Sequence, residues 1–292
     1  LNNIVKWLVE MAGNYKALPM LARTHGQPAV PTTLGKELVI FANRLNNQLI
    51  QLKQKQLTGK LSGAVGNFNA VQFSHPNIDW IAFSKRFVRL LGLVPNLATT
   101  QINSYDDVCE LIQTYQRINS ILINLDQDIW RYISDGWFSQ EARKGEVGSS
   151  TMPQKVNPID FENSEGNLGI ANSVGEFFCR KLMVSRLQRD LSDSTTIRNV
   201  GTFLGHSLVG YKSILNGFSR IRPNEQKIRA DLNYEWSILT EGVQTLLRKQ
   251  GVEDPYSLIS SLSKGKRIGK QEWRSWVAKL KVDTTTKQKL KE

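Results

Sequence analysis

The stretch VCELIQTYQRINSILINLDQDIWRY, Val108 to Tyr132, decides the fold class. Val108, Leu111, Tyr115, Ile118, Leu122, Leu125, Ile129 and Tyr132 follow one another in alternating steps of three and four. A seam that narrow, held over the whole stretch, belongs to a long helix packed at a shallow angle in a bundle. Leu38, Phe41, Leu45, Leu49 and Leu52 repeat the pattern earlier in the chain. Strand-type alternation is scarce, so the expected fold is all-α: a long-helix bundle with a smaller helical domain after it.

Ile159 to Leu182 has a different texture, with Gly166, Gly169, Ala171, Ser173 and Gly175 in one helical window. Glycine inside a helix costs about 1 kcal/mol relative to alanine. So many small residues suit either close backbone approach, as at a subunit interface, or a poorly formed helix. Asn157 and Pro158 read as its N-cap and first residue, and Asp160 and Glu162 place negative charge in its first turn. Arg222-Pro223-Asn224 interrupts the helical pattern, and a further helix is expected from about Glu225 to Lys249. These breaks divide the chain into a central bundle, 1–220, and a helical C-terminal domain, 221–292. The tail beyond Pro255 is basic and weakly patterned, like a chain cut short.

The 292 residues are 40% hydrophobic and 22% charged, the composition of an ordinary soluble globular protein. No apolar run approaches the roughly 20 residues that span a bilayer. The chain starts at Leu1 without a leader, as a trimmed chain or a fragment would. Cys109 and Cys179 sit in apolar helical patterns and read as buried reduced thiols, consistent with a cytoplasmic protein. The formal net charge of +12 admits nucleic acid, an anionic surface or an anionic substrate as partner. The basic residues are scattered; Lys264, Lys266 and Arg267 form the nearest thing to a patch and no aromatic platform accompanies them, so neither nucleic acid nor membrane is expected.

Three stretches carry chemistry. RTHGQPA, Arg23 to Ala29, sets His25 between hydrogen-bonding neighbours that can fix its tautomer; the residues alone leave it open between a structural and an acid/base role. His75 and His206 stand in plain settings and receive no role. KGEVGSSTMPQKVNP, Lys144 to Pro158, is a loop with glycine hinges that delivers Ser149, Ser150, Lys155 and Asn157 to a helix N-terminus, where N–H groups and a cation can hold an anion. A plain polar interhelix loop is the alternative. SRLQRDLSDSTTIRN, Ser185 to Asn199, alternates Arg186, Arg189 and Arg198 with hydroxyls, as an oxyanion site would. Asp190 and Asp193 make a salt-bridged surface the simpler reading of that stretch. No Walker loop, HExxH or zinc pattern occurs, and no metal or organic cofactor is implied.

Together these segments resemble the fumarase/aspartase superfamily. GSSTMPQKVNP, Gly148 to Pro158, matches its GSSxMPxKxNP loop at every fixed position. RTHGQPAVPTTLGKE, GKLSGAVGNFNA, DFENSEGNLG and LMVSRLQRDLSDSTTIRN are similar to the bacterial adenylosuccinate lyase branch. The resemblance implies a homotetramer with each active site shared by three subunits, and that a leading domain and a short C-terminal piece are absent here. It implies release of fumarate from adenylosuccinate, giving AMP, and from SAICAR, giving AICAR. In that scheme His25 is the general acid and Ser149 the base. Lys155 and Asn157 hold carboxylates beside Ser150. Thr24, Gln101, Val156, Asn163, Arg189, Ser194, Thr195, Thr196, Ile197 and Arg198 fall on substrate-contacting positions. Gln154 departs from the histidine many adenylosuccinate lyases carry there and matches argininosuccinate lyases, which makes the latter the runner-up. A non-catalytic scaffold is the reading from another class.

Overall fold

The computed structural model describes residues 1–142, 152, 154–263, 268–280 and 282–291, with only the backbone of 261–263. The chain divides into two compact units, one of residues 1–7, 41–131 and 140–221, the other of residues 8–40, 132–139 and 222–292.

The first unit is built on long helices. α2 (Leu34–Gln54) enters it at Phe41, α5 spans Asp106–Ser134, α6 Ile159–Leu182, and α8 Val200–Arg220. The α5 seam is the packed one: Ile118, Leu122, Leu125 and Ile129 are fully buried, while Val108, Leu111, Tyr115 and Tyr132 are half-buried. Ala171, Phe178, Cys179 and Leu182 of α6 and Phe203 of α8 pack with Cys109 and Ile112 of α5 into one core.

α6 is a continuous helix of 24 residues, so its small residues do not spoil it. Of its glycines only Gly175 sits under packed side chains, where a Cβ would meet Phe203 at 2.9 Å and Ile112 at 3.1 Å. Gly166 and Gly169 face open space. The tight approach comes instead from α8. A Cβ at Gly210 would meet Leu168 at 2.6 Å, and one at Gly217 would meet the Phe161 ring at 2.6 Å. Phe218 stacks on Trp7 with ring centroids 3.7 Å apart. The expected Asn157 cap is displaced by one residue. Pro158 takes the N-cap position, its carbonyl receives the N–H groups of Phe161 and Glu162, and no side chain caps the helix.

Between α2 and α5 run the short α3 (Asn69–Ser74) and α4 (Trp80–Leu90), flanked by the two-residue strands β3 (Thr58–Gly59) and β4 (Val94–Pro95), which pair in parallel. Gly66 is required in this stretch: its φ is +87°, and a Cβ there would lie 1.9 Å from the Thr99 carbonyl oxygen.

The second unit holds most of α1 (Asn2–Asn14) and an antiparallel hairpin of β1 (Pro19–Thr24) and β2 (Gln27–Thr33). The remaining short strands are β5 (Phe138–Gln140) and β6 (Ile221–Pro223). The helix expected over Glu225–Lys249 is broken: α9 ends at Tyr234, a 3-10 turn covers Trp236–Leu239, and α10 spans Thr240–Lys249. At the break the Trp236 N–H leaves the helical ladder and donates to the Ile268 carbonyl. α11 (Pro255–Ser263), α12 (Lys270–Lys279) and α13 (Thr284–Lys291) complete the chain, and Val243, Leu247, Ile259, Ile268, Trp273 and Val277 form the core of this unit. No helix is long and apolar enough to cross a membrane among the described residues.

Candidate functional site

His25 and Gly26 are the two central residues of the β1–β2 turn, with φ of 52° and 73°. Positive φ at both is the mark of the two-residue turn whose twist matches a hairpin. Glycine reaches it freely; for histidine it is an uncommon state, of the kind held where structure over-determines it. The surrounding contacts do so. Arg23 donates to the Gly26 carbonyl at 3.3 Å, lies 3.8 Å from the Asp135 carboxylate and places its guanidinium 5.9 Å from the centre of the Trp137 ring. Trp137 is fixed in turn by donating to Asp231 at 2.8 Å. Thr24 and His25 are exposed at the tip of this hairpin.

The remaining candidates belong to the first unit. Ser149 and Ser150 lie outside the described residues. Lys155, exposed, Val156 and Asn157 lead directly into the N-terminus of α6. Gln140 donates to the Val156 carbonyl at 3.2 Å. Beneath them Arg220, 5% exposed, bonds the Asp160 carboxylate at 3.1 Å and the Glu141 carbonyl at 3.2 Å. The start of α6 is therefore anchored by a buried guanidinium, while Lys155 stays on the outside.

Gln101 lies in the segment before α5. Its N–H donates to the Gln188 carbonyl at 3.2 Å, which ties it to the arginine-rich stretch. The Lys60 ammonium, not singled out in the sequence, holds the same segment: it donates to the carbonyls of Gly63, Thr100 and Gln101 at 3.0, 2.7 and 2.6 Å. Burial lowers its pKa from the ordinary lysine value. A cavity of 440 Å³ opens beside it, lined by Thr99, Thr100, Ile102, Tyr105, Met183, Ser185 and Leu187 among others. The Ser185 hydroxyl is buried without a partner among the described residues.

The stretch after α6 divides its arginines. Arg186 pairs with Asp190 at 3.1 Å, the surface ion pair of the simpler reading. The Ser192 hydroxyl and N–H, followed by the charges of Lys181 and Arg186, lower the Asp190 carboxyl to about 2. Arg189 instead turns to the Ser194 hydroxyl at 3.3 Å, where no carboxylate neutralises it among the described residues. α7 (Ser192–Ile197) carries Ser194, Thr195, Thr196 and Ile197 and ends next to Arg198. Asp193 holds this short helix to the bundle by accepting from the Tyr105 hydroxyl at 3.0 Å. Burial first, and then this bond, raise the Tyr105 pKa.

Asn163, on the first turns of α6, donates to the Ser213 hydroxyl at 2.5 Å. Gln101, Arg189 and α7 are thus linked through the Gln101–Gln188 and Arg189–Ser194 hydrogen bonds, and Lys155 to Asn163 by one helix start. His25 and Thr24 belong to the other unit. Lys60 and Tyr105 escaped the sequence reading because neither stands out within a motif by residue type; GKLSGAVGNFNA contains Lys60 and was the available signal.

Comparison with known proteins places these residues in context. A family model described as Lyase matches residues 1–174, and one described as Adenylosuccinate lyase C-terminal matches residues 185–292. Proteins named adenylosuccinate lyase are similar over nearly the whole chain. That of Buchnera aphidicola subsp. Baizongia pistaciae is 46% identical over 289 residues, 99% of this chain and 63% of its own length. That of Dictyostelium discoideum is 47% identical over 297 residues, with the same two shares. The chain thus spans about 63% of the length of the curated relatives it matches. Among solved structures, a fumarate lyase from Mesorhizobium sp. BNC1 superposes with a TM-score of 0.78 over 100% of this chain and 67% of that one, at 19% identity, a likeness of fold.

Proposed function

Because the chain belongs to the lyase family, and to its adenylosuccinate lyase branch, we propose that it is the larger part of an enzyme that releases fumarate from adenylosuccinate and SAICAR. The observation that carries this reading is the pairing of the intact GSSTMPQKVNP loop with relatives of that one name over 99% of the chain.

β-Elimination needs a base for the Cβ proton, an acid for the departing nitrogen, and stabilisation of charge on a carboxylate. We assign the acid to His25 and the base to Ser149. Lys155, with Asn157 and Ser150 beside it, supplies positive charge and donors where the aci-carboxylate forms. A serine is a poor base in water and acts only where water is excluded and cations lower its pKa. Gln101, Asn163, Arg189, Ser194 and Arg198 bind the rest of the anionic substrate, joined by Thr24, Val156, Thr195, Thr196 and Ile197. Support comes from Arg189, which faces a hydroxyl, and from the anchored helix start that leaves Lys155 exposed. The enzyme works in the cytoplasm as a homotetramer with active sites shared between subunits. Exposed Ile170 and Phe177 on α6, and Leu204 and Leu208 on α8, support that assembly. So do Gly166, Gly169, Gly201 and Gly205, which meet no neighbour within 4 Å in one copy.

Gln154 favours argininosuccinate as a second substrate candidate. The full-length protein should turn over adenylosuccinate and leave argininosuccinate untouched; the reverse result transfers the assignment. Light scattering should report four subunits, and an active monomer would overturn the shared-site scheme.

A further inference from the structure

His206, which the sequence left without a role, ends a chain of four polar side chains running across α6 and α8. Its Nδ1 lies 2.8 Å from Asn167 Oδ1. Asn167 Nδ2 donates to the Asn163 main-chain carbonyl at 2.8 Å and to Asn163 Oδ1 at 3.1 Å. Asn163 Nδ2 then donates to Ser213 Oγ at 2.5 Å.

The polarity of this chain is determined. A main-chain carbonyl can only accept, so the Asn167 group facing it is the NH₂. Its oxygen therefore faces His206, and Nδ1 of His206 must carry the proton in either charge state of the ring. The same logic passes to Asn163. Its oxygen is taken up by Asn167 and one amide proton by Ser213, which leaves one N–H to offer outward. Asn163 is exposed, Asn167 and His206 are half-buried, so the fixed end lies inside and the offered end outside.

We propose that His206 is a positioning residue: by donating to Asn167 it holds Asn163 in the one orientation that presents an N–H, rather than an oxygen, to a carboxylate or phosphate oxygen of the substrate. The assignment rests on Asn163 as a substrate contact in the function proposed above. Helix geometry alone fixes only the NH₂ side of Asn167; its oxygen is held by His206. Without that bond the Asn167 amide keeps only its NH₂ contact to the Asn163 carbonyl, and a rotation about that contact takes away the neighbour that occupies the Asn163 oxygen. An Asn163 turned over would set a lone pair against an anion.

The test uses the full-length protein with adenylosuccinate. His206→Leu should raise KM about 3- to 10-fold, the factor of one lost neutral hydrogen bond, with kcat essentially unchanged. His206→Gln, whose amide can donate to the same oxygen, should restore KM. In an Asn163→Ala background His206→Leu should have no further effect, because residues that act through one group are not additive. A crystal structure of His206→Leu should show the Asn163–Ser213 contact opened. Unchanged KM in His206→Leu, or the same rise in both backgrounds, overturns the proposal. If the wild-type protein does not turn over adenylosuccinate, the proposed function fails instead. The crystal structure then decides alone: Asn163 and Asn167 unmoved in His206→Leu overturns the chain, and their displacement sustains it as a device for whatever ligand Asn163 meets.

Discussion

α5 and α6 lie in the same unit and are both long, yet they are made for different tasks. α5 buries Ile118, Leu122, Leu125 and Ile129 on one stripe. α6 buries Phe161, Leu168 and Phe178 but also Ser164 and Gly175, and its first turns carry Asn163 and an anchored Asp160. One helix spends its sequence on packing. The other divides it between packing and presenting polar groups at one end. Substitutions should therefore separate: those at the α6 entrance should change turnover at constant stability, those on α5 stability at constant KM.

The largest effect is expected at the loop that enters α6. Ser149→Ala should slow turnover of adenylosuccinate by at least the ~10²–10⁴-fold that general acid–base groups contribute, with binding and melting temperature retained. It should also stop exchange of the substrate Cβ hydrogen with deuterated water, whereas His25→Ala should still exchange. If NMR finds the opposite pattern, the acid and base are reversed. Lys155→Ala should likewise abolish detectable turnover without unfolding; near-normal kinetics would return this loop to a plain connection.

On α5, Leu122→Ala should destabilise by about 2–5 kcal/mol, as buried leucines do, with KM held. A melting temperature equal to wild type would show that the seam is not the packed face.

Asp126 sharpens the comparison from within α5. Its carboxylate is 1% exposed, and neither oxygen has a hydrogen-bond partner among the described residues. Burial raises its pKa to about 8; the neighbouring Ser164 hydroxyl opposes the shift and the Glu165 charge adds to it. The folded protein thus favours the neutral acid. Its stabilising contribution is fully present below the unfolded value of 3.8 and is lost as pH rises through 8. Asp126→Asn keeps the shape and removes the titration. The variant should match wild type below pH ~4 and exceed it by about 4–6 kcal/mol at pH ~8. Denaturant midpoints across that range decide it, and parallel pH profiles would sink the idea.

The bundle was legible because its seam repeats: among regular structures only a helix packed along one stripe sustains that period from Val108 to Tyr132. The hairpin carrying His25 was not. Pro28 and Pro31 sit inside β2, and the pairing shifts between Leu21 and Ala22, so no run of alternation survives to be read. The break before Trp236 has a tertiary cause, the Ile268 carbonyl, and leaves no proline or glycine at the joint. Among candidate residues, the loop and the arginine stretch were legible as motifs. The Lys60 clasp and the His206 chain depend on partners 40 or so positions away, and pattern does not reach that far.

The two glycines of α8 also act as an index. Gly210 and Gly217 receive Leu168 and Phe161, and both pairs are seven residues apart, running in opposite directions. Two keys at matching pitch fit two slots in one setting only. A slip of one helical turn, about 5.4 Å, would drive both large side chains onto residues that carry a Cβ. α6 and α8 are therefore locked in one register, which fixes Asn163 at one end of α6 and Leu182 at the other, roughly 30 Å apart along the axis.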